Sequence, residues 1–143
     1  MKDPAAVVDA NVAIKWVVDE PDSGPARSLA TATLEAPDLL PIECASVLWK
    51  KAAIGDLTRR EAAARLEFLL HAPVTLTASR ELLDAALELA LEWRHPVYDC
   101  LYVALAIRRN LPLVTADRRL AAAARKQKKS MVRVILLAEL AAS

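Results

Sequence analysis

Cysteine is scarce in this 143-residue chain, and the two present, Cys44 and Cys100, lie in apolar runs with no CxxC or other metal-ligand spacing. That argues against a disulfide framework or a thiolate metal site and reads both as buried thiols in a reducing compartment. Long hydrophobic runs are missing too. The longest stretch free of Asp, Glu, Lys and Arg runs from Phe68 to Ser79 and contains Pro73, well short of the roughly 20 residues a membrane-spanning helix needs. The opening MKDPAAVVDANV has an early Asp and no long apolar core, so no signal peptide is expected and the expected location is cytoplasmic. Aromatic residues make up only 4% of a composition that is 55% hydrophobic, so the apolar mass is mostly Ala, Leu and Val, which suits helices packed on a buried sheet. Charge of one sign is not in excess either: nineteen basic residues face eighteen acidic ones, and any nucleic-acid partner must be read from local charge.

The length is that of one domain, and with no linker and no fixed-period repeat the expectation is a single unit over residues 1–143. Short branched runs, AAVVD (5–9), VTLT (74–77), PLVT (112–115) and VRVI (132–135), with EAPDLL (35–40) as a weaker fifth, alternate with helical patterns near 25–34, 41–54, 58–71, 79–93, 97–110 and 118–128. Gly55-Asp56 reads as a turn between two helices. This alternation predicts an α/β fold with a parallel sheet.

Four acids stand out against that frame. In an open α/β sheet ligands bind outside the carboxyl ends of the strands, and Asp9 and Asp117 each follow a short strand and precede a helix. Each also fits a helix N-cap. Asp99 is the only charged residue between Val97 and Ile107, on a helix apolar all round, where a buried carboxylate needs a cation, a metal, a proton or the dipole of the helix's first turn. Glu43 lies in PIECASVLW, on a narrow polar stripe with Ser46 and Lys50 that also fits a solvated Glu–Lys pair. Should the four converge, their repulsion requires a counter-charge. Hard oxygen ligands suit Mg²⁺ or Mn²⁺ with a phosphate substrate, and the His and thiolate ligands that zinc favours are missing from these positions.

The segments VDANVAIKW, PIECASVLWK, VYDCLYVALA and LVTADRRL resemble, in order and over nearly the whole chain, the PIN-domain family and within it the VapC toxins of bacterial toxin–antitoxin pairs. The resemblance implies a three-layer α/β/α sandwich around a parallel sheet of about five strands, and an acidic cluster that holds divalent metal for cutting RNA. Residue by residue it points to Asp9, Glu43, Asp99 and Asp117 as metal-binding, catalytic carboxylates. Asn11 matches the family's small polar residue and Thr115 its usual Ser or Thr; Ser46 stands where many relatives have the longer Asn. The resemblance further implies a homodimer and a small cognate antitoxin whose C-terminal segment covers the acidic cleft, with Trp16 or Trp49 as possible anchors.

The chemistry so implied is phosphodiester hydrolysis, with metal supplying an activated water and charge neutralisation and with Asp117 or Asp9 orienting that water. His71 and His95, each near a proline, read as turn or helix-terminus residues and not as general bases. Lys15, Arg118 and Arg119 are candidate RNA contacts, while the basic run 124–133 fits a helix C-terminus. A phospho-accepting receiver module would need adjacent acids after the first strand and an Asp closing VTLT, and an aspartyl-phosphate phosphatase would need Asp at position 11; neither pattern is present. The alternative kept is a PIN-fold module that binds RNA or a partner without turnover.

Overall fold

Strand β1 (Ala5–Val8) is short, apolar and flanked on both sides by other strands, the setting in which small and branched residues build a sheet buried on both faces. The computed structural model describes residues 5–127 and 131–141, so Lys128, Lys129 and Ser130 of the basic run lie outside the described residues. Four more strands, β2 (Thr33–Pro37), β3 (Val74–Thr77), β4 (Leu113–Thr115) and β5 (Val134–Leu136), complete one sheet of order β3-β2-β1-β4-β5, with every pairing parallel. The helices are α1 (Ala10–Ala13), α2 (Ser23–Ser28), α3 (Leu40–Ala53), α4 (Arg59–Leu70), α5 (Leu83–Trp93), α6 (Val97–Arg109), α7 (Arg118–Arg125) and α8 (Leu137–Ala141). Among the described residues no helix is long and apolar enough to cross a membrane.

Side chains alternate across a strand, and the two faces of the sheet bury into separate clusters. Val7 and Leu113 pack with residues of α3, α6 and α7, whereas Ala6, Val8 and Val114 pack with Ala26 of α2 and Leu137 of α8. The result is the expected α/β/α sandwich around a five-stranded parallel sheet.

This topology decides where the acids go. Strand order reverses at β1, whose neighbours β2 and β4 are reached by connections on opposite sides, and the crevice at such a switch point opens at the carboxyl edge. Asp9 directly follows β1, and Asp117 follows β4 after Ala116, and the two strands are adjacent. Glu43 lies in the first turn of α3, which leaves the carboxyl end of β2. Helix α6 feeds the amino end of β4, so its own first turn, with Asp99, faces the same carboxyl edge. The helix is buried from Cys100 through Ala106 and packs across β1, β2 and β4, which explains its continuous apolar sequence.

Several boundaries differ from the sequence expectation. The helical pattern over 25–34 ends early: α2 stops at Ser28, a 3₁₀ turn covers Leu29–Thr31, and β2 starts at Thr33 because Thr33 to Glu35 pair with β1. The strand expected at 35–40 therefore starts two residues earlier, with Pro37 closing it. Helix α7 ends at Arg125, not at 128, and the first turn of the 79–93 helix is 3₁₀, Ser79–Leu82. The Gly55-Asp56 turn forms as expected, with Gly55 at φ +88°. Leu105 is fully buried at the centre of α6, and Leu105→Ala is expected to lower unfolding free energy by about 2–5 kcal/mol in urea denaturation; an unchanged midpoint would contradict this placement.

Candidate active site

Asp9 is the N-cap of α1: its Oδ1 accepts a hydrogen bond from the Val12 backbone N–H at 3.1 Å. Its other oxygen, Oδ2, accepts from the Thr115 hydroxyl. Thr115, with no exposed surface, also accepts at Oγ1 from the Asp117 backbone N–H at 2.9 Å, and so ties the ends of β1 and β4 together through one side chain. Burial pushes the Asp9 carboxyl up to about 7; the bonds from Thr115 and Val12 oppose that rise, and the nearby charges of Asp99 and Asp117 add to it. Asp117 caps α7, accepting from Arg119 and Leu120 N–H groups at 2.9 and 3.2 Å, with Oδ1 alone. In both residues the cap uses Oδ1 alone; the Oδ2 of Asp9 is taken by Thr115.

Asp99 is half-buried, with Oδ2 2.7 Å from His95 Nε2, so the ring N–H donates to the carboxylate. Donor atoms of His95, Asp99 and Asp117 all lie within 4.8 Å of one another. Glu43, half-buried, accepts at Oε1 a hydrogen bond from the buried Tyr102 hydroxyl at 2.5 Å. Burial raises the Glu43 carboxyl above the ordinary range, the Tyr102 bond opposes this, and the charge of Asp99 adds to it. The charge of Asp99 thus bears on both Asp9 and Glu43, while among the described residues the donors close enough to share an ion are those of Asp99, Asp117 and His95, with Asp9 and Glu43 outside that closest group.

Two residues of this site were not read from the sequence. His95 does close a helix terminus, its backbone N–H donating to the Ala90 carbonyl at 3.1 Å at the end of α5, but its side chain, 10% exposed, turns toward Asp99 four positions on. The spacing of four was visible, but Pro96 between them hid the shared face. Tyr102 gave no sequence signal among apolar neighbours. Lys15 requires a correction: it is buried, with its ammonium paired to Glu20 and, at 2.9 Å, to Asp22, so it is not carried forward as an RNA contact. Arg118 and Arg119 are exposed in the first turn of α7, beside Asp117. Asn11 and Ser46 are exposed on α1 and α3, and among the described residues Lys50 forms no pair with Glu43. Of the two tryptophans, Trp49 is 69% exposed, whereas Trp16 is half-buried and donates from Nε1 to the Ala26 carbonyl at 2.9 Å.

The donor set fits a divalent cation. Elsewhere in the sheet a buried acid has a protein partner: Glu35 receives Arg109 Nε at 2.9 Å. Among the described residues no Lys or Arg pairs with Asp9, Glu43, Asp99 or Asp117, and the closest group of donors, the carboxylates of Asp99 and Asp117 with the imidazole of His95, suits a divalent ion; the expectation that no histidine stands at the site is corrected by His95. The apolar groove lined by Trp16, Leu34, Phe68, Pro73 and Val74 contains none of the acids.

Comparison with known proteins gives a consistent result. The sequence profile of the PIN domain matches residues 6–126. The chain is 38% identical over 119 residues to "Ribonuclease VapC3" of Pyrobaculum aerophilum, spanning 80% of this chain and 91% of that protein. The crystal structure of PAE2754 from the same organism superimposes with a TM-score of 0.65 at 26% identity, over 100% of both chains. The fold is also that of Mycobacterium tuberculosis VapC20, described as a sarcin-ricin loop cleaving toxin, with a TM-score of 0.64 and 16% identity over 82% of this chain and 94% of that one.

Because Asp9 ionises near 3.8 when unfolded and near about 7 when folded, the folded state holds the extra proton between those values. Stability of the metal-free protein is therefore lost as pH rises through that window. In EDTA, thermal melting of wild type should fall from pH 4 to about pH 7, and Asp9→Asn should flatten that slope; parallel slopes would show that Asp9 is not the group responsible.

Proposed function

The chain belongs to the PIN-domain family, and from that premise we propose that it is a divalent-metal-dependent endoribonuclease of the VapC type, a toxin inhibited by a cognate antitoxin. The whole chain is read as one such domain. The observation that supports the reading is that strand order brings four carboxylates from four segments to one sheet edge, Asp99 and Asp117 closest together beside His95, with no Lys or Arg paired to them among the described residues. The relative named a VapC ribonuclease supports the activity class.

Asp9, Glu43, Asp99 and Asp117 would hold Mg²⁺ or Mn²⁺. When bound, such an ion lowers the pKa of a water and offsets charge on the phosphate oxygens. Thr115 and Val12 fix Asp9, and Asp117 is anchored to α7 by Oδ1; one of these two acids would orient the attacking water. Arg118 and Arg119 project beside Asp117 and meet RNA phosphates there, with Asn11 and Ser46 as flanking polar groups. We assign Trp49 on α3 as an anchor for a protein partner: the antitoxin, whose C-terminal segment would cover the acidic cleft, or a second copy in a homodimer. The protein acts in the cytoplasm in this reading.

Wild type and Asp99→Asn, incubated with a pool of cellular RNAs, separate the nuclease from a module that binds without turnover. Wild type should cleave with Mg²⁺ or Mn²⁺ and stop in EDTA, while Asp99→Asn should be slower by on the order of 100-fold or more. Equal cleavage by both proteins would remove the nuclease reading.

A further inference from the structure

Helix α6 carries three polar groups along one stripe, His95 just before it, Asp99 in its first turn and Tyr102 one turn on, at i, i+4 and i+7. Asp99 belongs to the proposed metal-holding set and His95 bonds to it directly. Tyr102 behaves differently. It is 1% exposed, surrounded by core side chains, and its hydroxyl donates across 59 positions of sequence to Glu43 Oε1 at 2.5 Å.

A buried phenol needs a hydrogen-bond partner, and phenylalanine would fill the same volume without one. The geometry points to Tyr102 as a positioning residue for the ion: by holding Oε1 of Glu43, it fixes the rotamer that leaves Oε2 facing the cleft. This deepens the proposed function and rests on that metal site. Without the phenol, Glu43 can rotate away from Asp99, because the repulsion between the two acids is no longer held in check before the ion arrives. Partners that orient ligand side chains in this way typically change metal affinity by about 10- to 100-fold.

The test is Mn²⁺ binding to the full-length, metal-free protein by calorimetry, for wild type, Tyr102→Phe, Glu43→Gln and the double variant. Tyr102→Phe should bind Mn²⁺ about 10-fold more weakly, and in the Glu43→Gln background it should cause no further loss. In RNA cleavage the Mn²⁺ concentration for half-activation should rise for Tyr102→Phe while the rate at saturating Mn²⁺ stays near wild type. Unchanged Mn²⁺ affinity, or an equal loss in both backgrounds, would overturn the proposal while leaving the metal site intact. Absence of Mn²⁺ binding by wild type would overturn the site and the proposal together. A readout on wild type alone covers a Phe variant that fails to fold. With ¹³C-tyrosine, the Cζ resonance of the buried tyrosine should shift on adding Mg²⁺, and an unmoved resonance would count against the pair.

Discussion

Repulsion among carboxylates is the constraint around which this molecule is arranged. Asp9 has almost no access to water, and the charges of Asp99 and Asp117 bear on it; Glu43 is half-buried and feels Asp99. Charged oxygens in such a place are unfavourable alone. The fold resists their separation through fixed bonds: Thr115 and Val12 hold Asp9, the α7 backbone holds Asp117, Tyr102 holds Glu43 and His95 holds Asp99. Asp9 is held at both oxygens, whereas Glu43, Asp99 and Asp117 are each held at one, which fixes the position of every acid in the set. Glu35, neutralised by Arg109, shows how the same sheet treats an acid that serves structure alone.

Backbone topology explains why four distant segments can do this together. Parallel strands place every strand-following residue at one edge, and the adjacency of β1 and β4 brings Asp9 and Asp117 side by side although they are far apart in sequence. A helix leaving β2 and a helix entering β4 must both present their first turns at that edge. Strand order is what brings these segments together, and the same fold is found in a solved structure at 16% identity.

Much of this was legible in the sequence because the relevant signals are local. Short branched runs ending in Asp mark strand ends, and an acid isolated on an apolar helix marks Asp99. What was not legible depends on direction. Lys15 lies close to Asp9 in sequence, but it is buried in a 3₁₀ turn facing Glu20 and Asp22. Tyr102 looked like one more core residue, since nothing local reveals that its hydroxyl meets a side chain on another helix. The overrun of the helix at 25–34 has a similar cause: good helix formers give way to pairing with β1, a contact remote in sequence. Helices α1 and α8 are too short for periodicity to reveal them.

The account stands on one ion shared by the four acids. Diffraction from crystals soaked in Mn²⁺ and measured at the manganese absorption edge addresses it directly. An anomalous peak roughly 2 Å from oxygens of Asp9, Asp99 or Asp117, with Glu43 in direct or water-bridged contact, is the result expected. Manganese bound elsewhere, with these carboxylates turned apart, would contradict it.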